Sequence, residues 1–122
     1  MNGLSIPLHG IAHARAGDKG DRLSIALFPY HEAFYPVLVE QVTEAAVARQ
    51  FAHRRPRAVT RYLVPAIHGL NFVLDGALEG GVNRSLCLDR HGKALSYLLL
   101  ELAIAVPGDL AGLIDVHVRR PQ

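Results

Sequence analysis

Charged residues and glycines are concentrated in the segment Ala14–Asp21, which reads Ala-Arg-Ala-Gly-Asp-Lys-Gly-Asp. Glycine accepts backbone conformations with positive φ and lets a ligand approach the main chain, which Gly17 and Gly20 would allow here. Consecutive backbone amides in such a loop can form an anion-binding concavity. Arg15 and Lys19 would add positive charge, and a guanidinium can bind a carboxylate or phosphate through two N–H groups. Together these groups could bind an anion.

The same segment holds two carboxylates, Asp18 and Asp21, three residues apart. They could act as acid and base, or bind a hard cation together with an anionic ligand. His13 directly precedes the segment and is the candidate general base to work with either aspartate. The alternative is an ordinary hairpin turn, because Asp and Gly are the residues that turns use most. The residues alone leave both interpretations open.

His9 and His13 are four residues apart, which places them on one face of a strand. The same spacing on a helix would suggest a zinc pair, but this stretch is not helical in pattern and no third ligand has matching spacing. We therefore expect ordinary histidines, no metal site and no cofactor.

Asn71 stands between the apolar positions Leu70 and Leu74 of a predicted helix. A buried asparagine has to be hydrogen-bonded. It is therefore either a surface or capping residue of that helix, or it points towards a ligand.

Arg61 and Arg84 lie on predicted strands, on faces that also carry apolar side chains. A charge on an apolar face is costly unless it is paired. Either these faces are partly solvated, or the two arginines pair with a ligand or with carboxylates such as Asp18 and Asp21.

The composition describes one globular domain over residues 1–122, half apolar and one-fifth charged. The net charge of +2 is too small to attract a nucleic acid, and of thirteen basic residues only Lys19 and Lys93 are lysines. Arg54–Arg57 is expected to be a solvated loop. We predict no nucleic-acid partner.

Cys87 is the single cysteine, which excludes an internal disulfide, and its strand-like context favours a small core residue. The longest apolar run is interrupted by Glu101 and is too short to cross a bilayer. The first residues carry no signal-peptide pattern. We expect a cytoplasmic protein with no membrane partner.

The elements that would position the Ala14–Asp21 segment are two strands, Leu8–Ala14 and Arg22–Phe28, joined as a hairpin by turn residues Gly17–Asp21. Hydrophobic periodicity predicts further elements in chain order. These are helices over His31–Gln41 and Glu44–Ala52 with Thr43 as N-cap, a strand over Ala58–Val64, a helix over Ile67–Leu78 ended by Gly80 and Gly81, a strand over Val82–Asp89, a turn over Asp89–Gly92, a long helix from Leu95 broken by Pro107 and Gly108, and an edge strand over Ile114–Val118.

This order predicts an α+β fold, a two-layer sandwich with a mixed or antiparallel sheet and helices on one face, in a ferredoxin-like arrangement. The last helix carries Tyr97, Leu100 and Ile104 outside its apolar stripe. Because a chain this small cannot bury a helix on all sides, we predict a homodimer or higher homo-oligomer.

Five stretches carry a family resemblance, in one order along residues 11–102: Ala12–Asp21, Arg61–Pro65, Leu70–Leu74, Gly80–Leu86 and Leu88–Lys93. They resemble the AtuA-like ferredoxin-fold domain, the C-terminal domain of acyclic terpene utilisation protein AtuA. The resemblance implies a ferredoxin-like fold and a link to the catabolism of branched acids handled as coenzyme A thioesters, such as those from citronellol and geraniol. It implies no catalytic residue.

AtuA carries a much larger domain before this one, whereas about ten residues precede the first matching stretch here. We therefore expect either a separate large subunit as partner or a small domain that acts alone. The first hypothesis is a domain that binds an anionic metabolite, an acyl-CoA or a carboxylate. The residues assigned to that site are Arg15, Gly17, Asp18, Lys19, Gly20, Asp21, Asn71 and Arg84.

Two other functions are open at this stage. One is a non-catalytic interaction module that docks on a larger AtuA-type partner through the last helix and an edge strand. The other is an independent enzyme such as a hydratase or lyase, for which His13 with Asp18 or Asp21 is the only obvious acid–base pair.

Overall fold

The structure is a computed structural model that describes residues 4–76 and 95–114, although the side chain of Lys19 lies outside the described part. Within these ranges six strands form two antiparallel sheets. Their bounds are Leu4–Pro7 (β1), Ala12–Lys19 (β2), Arg22–Pro29 (β3), Ala58–Val64 (β4), Gly69–Asp75 (β5) and Ala103–Val106 (β6). The larger sheet has the order β2-β3-β5-β4, and β1 pairs with β6.

The predicted hairpin is confirmed, but its first strand is longer and begins later than expected. β2 pairs with β3 from Ala12 through Lys19, so most of the charged segment is strand and only Gly20 and Asp21 form the turn. Gly20 has φ +66° and Asp21 does not have a positive φ, which is the type II′ pattern that suits the twist of a hairpin. The first half of the predicted strand is wrong, since Leu8–Gly10 is a 3₁₀ turn.

Buried and more exposed side chains alternate strictly along the two central strands of the larger sheet, so that one face of the sheet is buried. Leu23, Ile25 and Leu27 of β3 are fully buried, and their neighbours in β3 are half-buried or exposed. β5 repeats the pattern with Leu70, Phe72 and Leu74. The strand period of two thus divides the sheet into a core face and an open face.

Two predicted helices are confirmed on the core face. α1 spans Tyr35–Gln41 after a 3₁₀ turn at Glu32–Phe34, with Pro36 in its first turn, where proline is tolerated. α2 spans Glu44–Gln50, and the Thr43 side chain accepts a hydrogen bond from the amide of Ala46 at 3.1 Å, as an N-cap does. Their buried residues join the strand side chains in one core.

The helix predicted from Ile67 is wrong, because Gly69–Asp75 is the central strand β5. Leu70 and Leu74 are four residues apart, a spacing that suits one face of a helix and also one face of a strand. Phe72, buried between them, distinguishes the two, since it shares their face only in a strand. Asn71 is therefore a strand residue on the open face.

The long last helix is also corrected. Residues 95–100 are helical, but Ala103–Val106 is strand β6, which pairs with β1 in the register Ile6–Ile104. Ile104 is buried, so it does not extend the apolar surface of a helix. A 3₁₀ helix, Gly108–Leu113, follows Pro107.

Several predicted features lie outside the described residues: Gly80 and Gly81, the strand Val82–Asp89 with Arg84 and Cys87, the turn Asp89–Gly92 and nearly all of the strand Ile114–Val118. In the described ranges the α+β prediction is confirmed, with an antiparallel sheet and helices packed on its core face. No helix in these ranges is long and apolar enough to span a bilayer.

Candidate functional site

Strand β2 divides the Ala14–Asp21 segment between the two faces of the sheet. Cross-strand partners share a face, and Arg15 pairs with Ala26 on the open face, whereas Asp18 pairs with the buried Leu23. His13, Arg15 and Gly17 therefore face the open side, and Asp18 faces the side of the helices at the margin of the sheet. The structure does not bring Arg15 and Asp18 together.

The predicted acid–base pair is not assembled. His13 and Asp18 lie on opposite faces and five residues apart along one strand, which is about 16 Å at the usual rise per residue. Asp21, in the turn, forms an ion pair with Arg57, at 3.0 Å between its Oδ2 and Nη2. The Asp21 carboxylate therefore serves to tie the hairpin turn to the chain preceding β4.

Across the open face, Arg15 and Asn71 occupy one row. Arg15 pairs with Ala26, and Ala26 pairs in turn with Asn71. Neighbouring strands are about 4.8 Å apart, so the Cα atoms of Arg15 and Asn71 are separated by about 10 Å. The small side chain of Ala26 leaves the space between them open.

Ser24 joins this row from the same strand as Ala26. Its hydroxyl donates to Oδ1 of Asn71 at 3.3 Å, and both side chains are partly buried. The Asn71 amide nitrogen keeps two N–H donors, for which the described residues provide no acceptor. Ser24 thus orients Asn71 with donors available to a ligand.

Gly17 and Ala26 are small residues beside these polar groups. Gly17 pairs with Ser24, and a Cβ added at Gly17 would meet no atom within 4 Å. Its φ is not positive, so the strand conformation does not require glycine here. What glycine provides at this position is free space beside Arg15 and Ser24.

The arginines of the four-stranded sheet differ in their partners. Arg22 binds Asp75, with 2.7 Å between Nε and Oδ1. Arg61 donates through Nη1 to the carbonyls of Val39 and Val42 at 2.7 and 2.9 Å. Arg15 is exposed and forms no ion pair or hydrogen bond through its side chain with any residue in the described ranges. It is the sheet arginine best placed to receive an external anion.

The face of β4 that carries Arg61 is partly solvated, as one sequence interpretation held, and the Arg61 guanidinium binds neither Asp18 nor Asp21. Instead it satisfies carbonyls at the C-terminal end of α1, which lack intrahelical partners. The positive charge of Arg61 also interacts favourably with the negative end of the α1 helix dipole. Arg61 is therefore a structural residue.

His13 belongs to a set of stacked rings. Its imidazole lies 5.6 Å from the ring of Phe28 and 5.2 Å from that of Tyr30, centroid to centroid, with the planes about 30° apart. His9 is not part of this stack, but it lines a pocket with Tyr97, Glu101 and Tyr30 of the stack. In the described ranges, no three side chains among His, Cys, Asp and Glu are grouped to hold a metal ion.

A protein-family comparison agrees with this architecture. The model of the AtuA ferredoxin-like domain matches residues 6–105. The chain belongs to the AtuA ferredoxin-like domain family. The antiparallel sheet with helices on one face is accordingly the ferredoxin-like fold that the sequence predicts. Neither the curated proteins nor the solved structures gave a match.

In this AtuA ferredoxin-like domain, three of the predicted site residues lie on one face of the sheet: Arg15, Gly17 and Asn71. Sequence reasoning missed Ser24, although the alternation of Arg22–Phe28 already placed it opposite the apolar side chains of its strand. Lys19 contributes only its backbone to the described structure, Gly20 serves the turn, and Arg84 lies outside the described ranges.

Proposed function

We propose that this AtuA ferredoxin-like domain binds an anionic metabolite, an acyl-CoA or a carboxylate, on the open face of its sheet. The observation that carries the proposal is the row formed by Arg15, Ala26 and Asn71. It contains an exposed guanidinium with no described protein partner and, across a small side chain, an amide with free donors.

The groups in this row match the chemistry of a carboxylate or phosphate. Arg15 can donate two parallel N–H bonds to such an anion, an arrangement stronger than a neutral hydrogen bond. Asn71, held by Ser24 at 3.3 Å, donates from the other side. Gly17, which carries no side chain, lets the ligand approach the sheet closely. These contacts favour binding and orientation, and they include no acid–base pair.

The family resemblance narrows the ligand class. It implies branched acids handled as coenzyme A thioesters, whose carboxylate or phosphates would be the anionic group. Lys19 and Arg84 stay assigned to this site by sequence alone. Asp18 and Asp21 are not part of the proposed anion site. Asp18 lies on the opposite face of the sheet, and Asp21 forms an ion pair with Arg57. We place the protein in the cytoplasm, as a homodimer or with a larger AtuA-type subunit.

The test is a ligand titration followed by the backbone amide signals of the isotope-labelled domain. Citronellate, its coenzyme A thioester and free coenzyme A are the probes. We expect shifts at Gly17, Ser24 and Asn71 with at least one of them. Arg15→Gln should raise the dissociation constant about tenfold or more, because a hydrogen bond to a charged group contributes about 1.5–3 kcal/mol.

The matched control is Arg49→Gln, which removes an exposed arginine from α2, on the other side of the sheet. Its binding should equal that of the wild type. Equal dissociation constants for the wild type and Arg15→Gln, or shifts confined to another surface, would contradict the proposal. Thermal unfolding of both variants shows whether the fold is kept.

A second candidate function, the interaction module, is favoured by exposed apolar residues at the end of β4 and in the 3₁₀ turn after it: Tyr62, Leu63, Val64 and Ile67. Tyr62, which pairs with Asn71, and Val64 lie on the open face, whereas Leu63 lies on the opposite face. Exposed apolar patches of this kind often mark protein interfaces. Size-exclusion chromatography with and without a co-expressed large AtuA-type subunit separates the functions. A monomer that enters a stable complex only with that subunit favours the module.

A further inference from the structure

A pocket lined by residues other than those of the Arg15 row lies where the start of β2 meets the end of the 95–100 helix. Its volume is about 490 Å³, within the range of about 300–1,000 Å³ typical of small-molecule sites. Its lining residues are His9, Ala12, Tyr30, Tyr97, Leu100 and Glu101.

The pocket combines an apolar floor with aromatic walls. Ala12 and Leu100 are buried, whereas the residues Tyr30 and Tyr97 are 64% and 59% exposed. Tyrosine rings attract cations at their negative faces, and Tyr30 and Tyr97 bring two such rings to the pocket. The imidazole of His9 adds a third ring.

The pocket carries a negative charge on the carboxylate of Glu101. Glu101 is exposed and its side chain forms no ion pair or hydrogen bond with any residue in the described ranges. It follows the last turn of the helix, where its amide donates to the carbonyl of Tyr97 at 3.1 Å. The negative end of the helix dipole adds to the negative potential at this pocket. An anionic group would be repelled here, so this pocket does not continue the Arg15 site.

The ring of Tyr30 is held in position before a ligand arrives. It packs on His13, with centroids 5.2 Å apart, and His13 stacks on Phe28. Phe28 in turn lies over Gly69, where an added Cβ would be only 2.9 Å from its ring. The amide of Tyr30 donates to the carbonyl of Ile11 at 2.8 Å. Preorganised walls reduce the ordering cost of binding.

Tyr97 and Glu101 are four residues apart at the end of the helix and line the same pocket. We propose that this pocket binds an organic cation, an ammonium group with apolar substituents, between the rings of Tyr30 and Tyr97 and the carboxylate of Glu101. The rings and the apolar floor take up the alkyl groups, and the carboxylate balances the charge. The site is independent of the anion proposed at Arg15.

The experiment compares two ligands of nearly equal shape on the whole chain. One is choline, and the other is its uncharged isostere with a tert-butyl group in place of the trimethylammonium. Amide shifts of Ala12, Leu100 and Glu101 report occupancy. We expect choline to bind at least about fivefold more tightly than the isostere, in line with the strength of exposed cation–π contacts plus a carboxylate. Equal affinities, or no binding of choline, would overturn the proposal.

Variants assign the binding to these residues. Glu101→Gln and Tyr97→Leu, both surface changes, should each weaken choline binding by about three- to tenfold. Glu40→Gln, which removes an exposed carboxylate from α1, is the control and should bind choline as the wild type does. Unchanged choline affinity in Glu101→Gln would also overturn the proposal. Because Glu101 is exposed, that variant keeps the test valid even if a tyrosine variant unfolds.

Discussion

The role of an arginine in this protein depends on what its guanidinium can reach. Arg22 and Asp75 form an ion pair at 2.7 Å in which the Arg22 side chain is 59% exposed. Arg61 instead donates to two carbonyls at the end of α1 from a partly buried position. Arg15 has neither kind of partner among the described residues. Arg22 is therefore part of a surface ion pair, Arg61 caps a helix, and Arg15 is the candidate ligand-binding residue.

This difference predicts unequal costs for the same substitution. Arg61→Met should lower the free energy of unfolding by about 1–3 kcal/mol, because partly buried carbonyls lose charged donors. Arg22→Met should cost about 0–1 kcal/mol, as exposed ion pairs contribute little. Urea unfolding of both variants measures the difference. Equal losses would show that the Arg61 bonds to Val39 and Val42 do not stabilise the end of α1.

At the scale of the elements, the β2–β3 hairpin depends on one glycine and tolerates change at the other. Gly20 has φ +66° at the first position of the turn, whereas Gly17 has an ordinary strand conformation and free space around it. An L-residue in the left-handed region costs about 1–2 kcal/mol. Glycine within a strand, in contrast, is itself less stable than alanine by about 0.5–1 kcal/mol.

The two glycines accordingly give opposite predictions. Gly20→Ala should lower the free energy of unfolding by about 1–2 kcal/mol. Gly17→Ala should leave it unchanged or raise it by up to about 1 kcal/mol, while the added methyl group takes up free space beside Arg15 and weakens ligand binding. Chemical unfolding and the titration proposed above measure the two effects separately. A large loss of stability in Gly17→Ala would contradict the assignment of an ordinary strand conformation to Gly17.

Strands with a clear alternation were predictable from sequence, and those with ambiguous spacing were not. Ala58–Val64 has the predicted bounds, and Arg22–Phe28 differs by a single residue. The sequence misassigns Gly69–Asp75 because Leu70 and Leu74 fit both periods. It misassigns Ala103–Val106 because only two residues separate that strand from the helical residues 95–100. Pairing with a distant strand, here β1 with β6, decides such cases.

The candidate site shows the same limit. The charged segment was identified from its residue types, but which of its side chains lie together depends on the face of β2 and on the register with β3. The register follows from the position of the two-residue turn, which sequence reasoning had spread over Gly17–Asp21. The structure places Arg15 and Asn71 on one face of the sheet, whereas sequence alone could not separate them from Asp18.

At the scale of the whole molecule, side-chain amides connect the helices to the C-terminal part of the described fold. The Gln41 side chain donates to the carbonyl of Ala105 at 2.6 Å and accepts from its amide at 2.8 Å, as a neighbouring strand would. Gln50 donates to the carbonyl of Leu98 at 2.7 Å. The amide of Leu8 reaches the carbonyl of Leu102 at 2.8 Å. These contacts hold β6 and the 95–100 helix against the rest of the domain.

Gln41 gives the sharpest test of this connection, because its side chain bonds both polar groups of one backbone residue. Gln41→Ala should lower the free energy of unfolding by about 1–2 kcal/mol and speed hydrogen exchange at the Ala105 amide. Gln41→Glu should be worse at neutral pH, since a carboxylate would face the Ala105 carbonyl without a proton to donate. Glu40→Ala, at the exposed neighbouring position, is the control and should change neither quantity appreciably. Unaltered exchange at Ala105 in Gln41→Ala would mean that β6 is held by β1 alone.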